Sequence, residues 1–223
     1  MKILAVDTSA VVASCAISED DKLLGVYTVN NRLTHSQMIM PMIDRLLSDT
    51  ECNIDDIDLF AASIGPGSYT GLRIGAATVK GLAAARNKNA IGIGTLDALA
   101  FNVQHSEHIV VPIMDARKNR VFTASYIWED GEMRMLSEPE VMMIDKCIED
   151  CGNFLDTVFV GDGAYAYRDL IKEKLGEHAY FAASSNMLQN AASVCALAYM
   201  KRNEAAPGRF LVPRYIGKKQ GDK

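Results

Sequence analysis

Long apolar runs are missing from this 223-residue sequence, which has no stretch of eighteen or more apolar residues. A transmembrane helix needs about 20 such residues, so the absence argues against a membrane protein. The apolar run Ile3–Val6, directly after Met1 and Lys2, is too short for the core of a signal peptide and is typical of a strand. We therefore expect a cytoplasmic protein that has no membrane partner.

Paired cysteines are also missing. The sequence has five cysteines, and they form no CxxC pair and no other compact metal-binding spacing. An odd number of scattered cysteines is typical of a reducing compartment, where disulfides are rare. The pattern favours the cytoplasm and predicts no metal site at these residues, which are Cys15, Cys52, Cys147, Cys151 and Cys195.

The chain has little excess positive charge. It contains 23 Lys and Arg against 28 Asp and Glu, a formal net charge of −5, and no long basic run. Proteins that bind nucleic acid on their own usually show a basic patch or stripe. If RNA is involved, we expect it to be an indirect partner, because another chain would have to supply most of the phosphate contacts.

Apolar periodicity predicts a β-meander and then alternating helices and strands in the first half of the chain. The first predicted helix has apolar residues three and four positions apart, contains Pro41, and has Thr34 or Ser36 as its cap. The second, rich in small residues, ends near Arg86, and a third spans Thr95–Val103. The predicted strands are Lys2–Asp7, Val11–Ile17, Leu23–Val29, Ile57–Ile64 and Ile91–Ile93.

The pattern restarts near residue 109 with three further strands and an acidic turn, and this predicts two related lobes. Two such lobes resemble the actin-like (RNase H-like, ASKHA) superfamily, and the resemblance implies an α/β fold in which each lobe is a mixed sheet that opens with a β-meander and is flanked by helices. We expect fewer helices in the second lobe. The predicted boundaries are 1–105, 106–204 and a tail at 205–223. The strands are Ile109–Met114, Val121–Trp128, Met133–Leu136 and Val158–Val160, and a late helix spans Asn190–Arg202.

Glycine is missing after the first strand. Actin-like ATPases wrap phosphates with a turn that follows a strand-ending Asp, and glycine lets backbone N–H groups approach the phosphate. Here Asp7-Thr8-Ser9 has no glycine before Val12, and Asp115-Ala116-Arg117 has none either. The segment is a candidate phosphate or anion site, but the favoured interpretation is a strand end whose carboxylate accepts hydrogen bonds from the turn.

A P-loop lysine is missing from the glycine-rich block Gly65–Gly71, because Leu72 and Arg73 follow its last glycine. A glycine-rich turn before a helix can bind an anion, which makes Gly67 and Ser68 candidate anion contacts. The favoured interpretation is a structural or interface role, and in the structural case the glycines and Pro66 shape the turn while Ser68 or Thr70 caps the helix.

Catalytic and metal constellations are missing as well. A metal pair on a helix requires a second histidine four residues after His35, and that position is Ile39. No G-x-S-x-G nucleophile elbow occurs. We therefore predict no catalytic residues and no metal. Tyr165, Tyr167 and Arg168 are interpreted only as packing or solvent-facing residues.

The first two predicted helices carry a Met-rich stripe and a Gly/Ala-rich surface. An apolar stripe is more often core than interface, but methionine is adaptable at binding surfaces, so the pattern leaves the two alternatives open. The closing segment, which contains Val212-Pro213-Arg214-Tyr215-Ile216, is predicted either to dock on a lobe or to contact a partner.

The sequence resembles the TsaB (YeaZ) family, subunits of the bacterial machinery that makes threonylcarbamoyladenosine in tRNA. The most specific match is the eleven-residue block Gly65–Gly75, and the resemblance covers nearly the whole chain. The other matching segments are Ile3–Ser9, His35-Ser36, Lys80-Gly81-Leu82, Gly94-Thr95-Leu96, Asp115-Ala116-Arg117 and Val212–Ile216.

The resemblance implies a non-catalytic subunit that pairs, through its first two helices, with the catalytic subunit TsaD, which transfers threonylcarbamoyl to the tRNA adenosine beside the anticodon. It also implies an ATPase subunit, TsaE, that binds the pair, and a homodimer when TsaD is absent. No cofactor of its own is expected, and ATP or ADP is expected only at the level of the complex. The predicted interface residues are His35, Met38, Ile39, Met42, Leu46, Tyr69, Leu72, Arg73, Gly75, Ala76 and Val79.

Two other functions compete with this prediction. Asp7 and Asp115 end equivalent strands, which is typical of an actin-like ATPase or small-molecule kinase. A hydrolase or glycoprotease-like enzyme is the third hypothesis, with Ser36 or Ser68 as its nucleophile.

Overall fold

The computed structural model describes residues 1–31, 35–154 and 156–217. The predicted cap Thr34 and the end of the predicted tail, 218–223, lie outside these ranges, and Ser36 lies inside the first helix rather than at its cap. Within these ranges, no helix is long and apolar enough to cross a membrane.

Most predicted elements are present, with shifts of one or two residues at several ends, but the strand predicted to end at Leu136 continues to Met143. The strands are β1 Lys2–Asp7, β2 Ala13–Glu19, β3 Lys22–Val29, β4 Leu59–Gly65, β5 Asn89–Gly94, β6 Ile109–Asp115, β7 Arg120–Glu129, β8 Glu132–Met143, β9 Thr157–Val160, β10 Ala179–Phe181 and β11 Ala206–Pro207. The helices are α1 His35–Asp49, α2 Tyr69–Ala85, α3 Thr95–Phe101, α4 Ile144–Cys151, α5 Asp162–Ala166, α6 Arg168–Leu175 and α7 Ala191–Met200.

The two sheets share a five-strand topology, which confirms the predicted repeat and fold class, and the first sheet has one further edge strand, β11. The first sheet has the order β11-β5-β4-β1-β2-β3, and the second has the order β10-β9-β6-β7-β8. In each sheet the meander is antiparallel, and the next two strands run parallel to its first member; β11, at the edge of the first sheet, runs antiparallel to β5. Each sheet is therefore mixed.

The chain divides into two compact units at places that differ from the predicted boundaries. The first lobe comprises Met1–Ala98 and Gln189–Tyr215, and the second comprises Leu99–Leu188 together with Ile216 and Gly217. The predicted second lobe, 106–204, wrongly included α7. This helix is apolar on all sides and packs against β1 and β2 of the first sheet. A run of apolar residues indicates such a helix, but it does not show which sheet the helix covers.

Helices cover both faces of the first sheet. α1 packs on β2 and α2 on β4, and the two helices contact each other. Their buried residues form one core with alternate residues of the strands, such as Leu4, Val6 and Cys15. α7 lies on the opposite face, where the Ser14 hydroxyl accepts a hydrogen bond from the backbone N–H of Ala191. This layering leaves the outer sides of α1 and α2 free of the sheet.

The second lobe contains more helix than predicted. α4 and α6 pack against each other, and their apolar residues form a core with β6, β7 and β9. The sequence of α4 places Ile144, Cys147, Ile148 and Cys151 on one face, and all four are buried. This apolar spacing is visible in the sequence, but a helix of only eight residues gives a pattern too short to be recognised.

Candidate docking surface

The Asp7 carboxylate, at the end of β1, is fully buried and is bonded inside the fold. Its Oδ1 accepts hydrogen bonds from the backbone N–H of Ser9 at 2.9 Å and from the Ser9 hydroxyl at 2.6 Å. Its Oδ2 accepts one from the Ser63 hydroxyl at 2.5 Å. Burial raises the pKa of Asp7, and the hydrogen bonds from Ser63 and Ser9 oppose this shift. This geometry matches the favoured interpretation of Asp7 as the end of a strand whose carboxylate accepts hydrogen bonds from the following turn.

The glycine block packs on this turn and caps α2. The Ser68 hydroxyl accepts a hydrogen bond from the Gly71 N–H at 3.2 Å, while the Ser68 N–H donates to the Ser9 carbonyl at 2.7 Å. Gly67 lies so close to the Ser9 carbonyl that a side chain there would overlap it. The predicted anion residues Asp7, Thr8, Ser9, Gly67 and Ser68 are thus brought together, but as an internal contact. Their role as an anion site stays a prediction.

The apolar stripes of α1 and α2 form core rather than free surface. A helix packed on a sheet buries its apolar stripe against that sheet, and both helices do so here. The predicted interface therefore has to be corrected for its apolar members, which are at most 8% exposed. These buried residues are Ile39, Met42, Leu46, Leu72, Ala76 and Val79. Gly75 is also buried, against the Thr8 side chain.

The other predicted interface residues lie nearer to solvent. His35 is half-buried, and its ring Nε2 is 2.7 Å from the Ala10 carbonyl. Met38 is half-buried and packs on the edge of the first-lobe core. Tyr69 and Arg73, in the first turns of α2, are exposed.

The outer face of the α1–α2 pair presents residues that sequence analysis did not select. Met40 on α1 is 40% exposed although it is a large apolar side chain. On α2 the small residues Ala77, Gly81 and Ala84 are exposed at i, i+4 and i+7, which places them on one side of the helix. A Cβ at Gly81 would have no neighbour within 4 Å. We call Met40, Ala77, Gly81 and Ala84 the outer face. Small residues and one methionine at these positions give only a weak signal in the sequence.

The closing segment docks on the first lobe, which is one of its two predicted alternatives. Leu211 is buried in the core of this lobe, and the Arg214 N–H donates to the Ile64 carbonyl at 2.6 Å. Tyr215 packs on Tyr69 with ring centroids 5.0 Å apart. The start of α2 is therefore lined by Tyr215 of the closing segment.

The contact between the end of β6 and the start of α5, in the second lobe, is a separate feature. Asp162 Oδ1 accepts hydrogen bonds from the backbone N–H groups of Asp115 and Gly163, at 3.3 and 3.1 Å. Burial raises the pKa of Asp162 to about 6. The Tyr167 hydroxyl lies 3.4 Å from Asp115 Oδ1, and Arg168 stacks on Phe181. Tyr165 is 45% exposed. Of the three residues interpreted as packing or solvent-facing, Tyr167 and Arg168 thus pack against other residues, and Tyr165 faces solvent.

Three serine hydroxyls near the candidate site have structural partners. The hydroxyls of Ser9 and Ser63 donate to Asp7, Ser68 caps α2, and Ser36 is exposed on α1. Within residues 1–31, 35–154 and 156–217, no group of three or more His, Cys, Asp or Glu side chains can hold a metal ion.

Comparisons with known proteins agree on one family. A family model described as "TsaD: tRNA N6-adenosine threonylcarbamoyltransferase" matches residues 12–221. The tRNA threonylcarbamoyladenosine biosynthesis protein TsaB of Escherichia coli is 32% identical over 78% of this chain and 76% of its own length. The protein of the same name from Bacillus subtilis is 29% identical over 97% of this chain and 94% of its own length.

Solved structures show the same relationship. YeaZ from Pseudomonas aeruginosa superimposes with a TM-score of 0.79 at 25% identity, covering 96% of this chain and 99% of its own. A ROK hexokinase from Thermus thermophilus, with a TM-score of 0.51 at 9% identity over 92% of this chain and 100% of its own, shows the actin-like fold alone. The chain therefore belongs to the TsaB (YeaZ) family of tRNA threonylcarbamoyladenosine biosynthesis proteins.

Proposed function

We propose that this chain is a non-catalytic subunit that pairs with a catalytic TsaD subunit and supports threonylcarbamoyl transfer to the tRNA adenosine beside the anticodon. The observation that carries the proposal is the outer face of α1 and α2, two helices in contact, where α1 exposes Met40 and α2 exposes a row of small residues. Small residues let a second helix approach closely, and methionine adapts to the partner's shape. The stripe behind this face is occupied by the lobe's own core.

The match to the TsaD family model supports the choice of partner. It covers residues 12–221, so a TsaD subunit is expected to carry lobes of the same architecture, with its own α1–α2 pair. Two related faces can pair about an approximate twofold axis, as identical faces do in a homodimer. The same proposal predicts that two copies of this chain pair through the outer face when TsaD is absent. It also predicts that TsaE binds the TsaB–TsaD pair.

The bonding around Asp7 supports a non-catalytic role. Its carboxylate accepts the Ser9 and Ser63 hydroxyl hydrogens, and both serines are buried, so neither hydroxyl is presented to a substrate. The Ser68 hydroxyl is used as a helix cap. These contacts give each candidate residue a structural task within the first lobe.

Charge substitutions on the outer face test the pairing. Met40→Glu and Ala77→Glu each place a charge where a partner helix would exclude water, so each should weaken binding to TsaD at least tenfold in titration calorimetry. Met200→Glu is the matched control, because Met200 is a 57% exposed methionine at the end of α7, on the opposite layer of the lobe. Binding that is equally tight in all three variants would refute the proposed surface.

Reconstitution tests the function itself. TsaD, TsaE, tRNA, ATP and the threonylcarbamoyl adenylate are combined with and without this chain, and modified adenosine is counted. We expect modification to require this chain, and the chain alone to produce none. Modification that proceeds equally well without it would remove the supporting role.

A further inference from the structure

The last described part of the first lobe forms a strap over the start of α2. We define the strap as Leu211–Tyr215. Before it, β11 pairs with β5, and Gly208 lies against α2 with its position for a Cβ 3.0 Å from the Ala83 Cβ. Leu211 then enters the core of the lobe at 7% exposure. The strap is therefore anchored before it reaches the surface of α2.

A tight backbone contact fixes the far end of the strap. The Arg214 N–H donates a 2.6 Å hydrogen bond to the Ile64 carbonyl, at the end of β4. The Arg214 carbonyl lies so close to Gly65 that a side chain at Gly65 would overlap it. Gly65 has a φ of 122°, a value that glycine adopts readily and other residues rarely do. The first glycine of the family-specific block thus provides room for the strap.

Tyr215 completes an exposed aromatic–arginine cluster on α2. The Arg73 guanidinium lies 3.9 Å from the centroid of the Tyr69 ring, and its Nε donates a 3.0 Å hydrogen bond to the Tyr215 hydroxyl. This hydrogen bond raises the pKa of Arg73. The two tyrosines pack at 33° and yet remain 56% and 49% exposed. The three side chains hold one another in place while their outer sides stay open.

The cluster is continuous with the outer face. Arg73 lies four residues before Ala77, so the two are neighbours on the same side of α2. Tyr and Arg are also the residue types that most often dominate binding energy at protein interfaces. We propose that the strap is a working part of the docking surface, in which Tyr215 packs against the same TsaD subunit that binds the outer face. This inference rests on the proposed pairing and adds the strap to it.

The chemistry of the cluster favours a protein partner over RNA. Its one cation is already stacked on Tyr69 and bonded through Nε to Tyr215, so it is less available for a phosphate. The chain as a whole carries a net charge of −5. A pre-ordered surface of two tyrosines and an arginine loses little side-chain entropy when a protein surface covers it.

Binding to TsaD and docking of the strap are then linked. A partner that contacts Tyr215 binds best to the form in which the strap is docked, so it must also hold the strap in place. Trypsin cleavage after Arg214, which is exposed, reports this directly. Bound TsaD should slow that cleavage at least tenfold.

Substitution of Tyr215 tests the inference. Tyr215→Ala should weaken TsaD binding at least tenfold, whereas Tyr215→Phe, which keeps the ring and loses only the bond from Arg73, should change it less than threefold. Phe210→Ala is the matched control, because Phe210 is a 60% exposed aromatic residue that stacks with Arg209 just before the strap. It should leave the affinity within twofold. Thermal unfolding of each variant shows whether the lobe remains folded. If Tyr215→Ala unfolds it, Tyr215→Phe and the cleavage assay decide.

Three outcomes overturn the inference in different ways. Unchanged affinity in Tyr215→Ala, together with lost affinity in Met40→Glu, removes the strap and leaves the proposed pairing intact. Unchanged affinity in both variants removes the pairing surface as well. A Tyr215→Ala defect confined to self-association, measured by sedimentation, or to binding of labelled tRNA would assign the cluster to a second copy or to RNA instead.

Discussion

The Thr8 hydroxyl donates a 2.8 Å hydrogen bond to the carbonyl oxygen of Gly71. The same approach brings the Thr8 carbonyl so close to Gly71 that a Cβ would overlap it. The start of α2 is therefore locked onto the turn that follows β1, and the contact requires a residue without a side chain.

Gly71→Ala tests this contact. We expect it to lower the free energy of unfolding by about 1–3 kcal/mol, since a methyl group forced into a packed site displaces backbone. Gly81→Ala, on the same helix, should instead raise it by up to about 1 kcal/mol, because open space surrounds Gly81 and alanine favours helix. Urea denaturation measures both. Equal effects at the two positions would contradict the close-contact explanation.

Asp7→Ala tests the strand-end role of the carboxylate. It leaves the hydroxyls of Ser9 and Ser63 without their acceptor in the interior, so we expect a loss of about 2–4 kcal/mol in unfolding free energy. Asp7→Asn keeps an acceptor and should cost less. A stable Asp7→Ala protein that had lost binding of Mg·ATP would instead identify the carboxylate as a nucleotide contact.

Asp162 should make stability depend on pH between about 4 and 6. Its folded pKa is about 6, against an ordinary value of 3.8, so in this window the folded state keeps a proton that the unfolded state releases. Stability therefore falls as pH rises through the window, by at most about 3 kcal/mol. Asp162→Asn should be more stable than the parent at pH 7.5 and equal to it below pH 4. Urea titrations at both values measure this, and a constant difference would contradict it.

Thiol reactivity should single out Cys52. The five cysteines are free, and Cys15, Cys147, Cys151 and Cys195 are buried, whereas Cys52 is half-buried. Burial also raises the pKa of both Cys15 and Cys195 to about 12, which suppresses the reactive thiolate. At pH 8 a chromogenic disulfide reagent should modify one thiol in the native protein and five in denaturant. Cys52→Ser should abolish the native reaction, and rapid labelling that persists would contradict the buried assignments.

The fold was predictable because each half of the sequence repeats one pattern. Apolar runs ending at Asp7 and Asp115, each followed by a turn and two further strands, marked the meanders, and periodicity marked α1 and α2. Sequence analysis failed where an element is short, as in α4, or where a helix lacks a polar side. α7 is such a helix, so nothing in its sequence showed which sheet it covers.

The candidate surface was predictable only in part. Sequence analysis selected the same pair of helices on which we propose the docking surface, but it assigned Ile39, Leu46 and Val79 to the interface, and these residues are core. An apolar stripe shows which side of a helix is buried, not what buries it. The outer face consists of small residues and one methionine, which have no strong pattern. The contact of Tyr215 with Arg73 spans 142 residues and leaves no local signal.

The division of the first lobe has a consequence for synthesis. Its sheet is begun by β1 and β2, but the layer over one face is α7, whose Cys195 thiol approaches the carbonyl groups of Ile3 and Ala16 at 3.7 and 3.6 Å. A ribosome makes that helix more than 170 residues after β2. The second lobe is continuous within 99–188, so all of its strands emerge earlier. We therefore expect the first lobe, whose synthesis begins first, to finish folding last. Its apolar sheet face stays open to chaperones until α7 has been made.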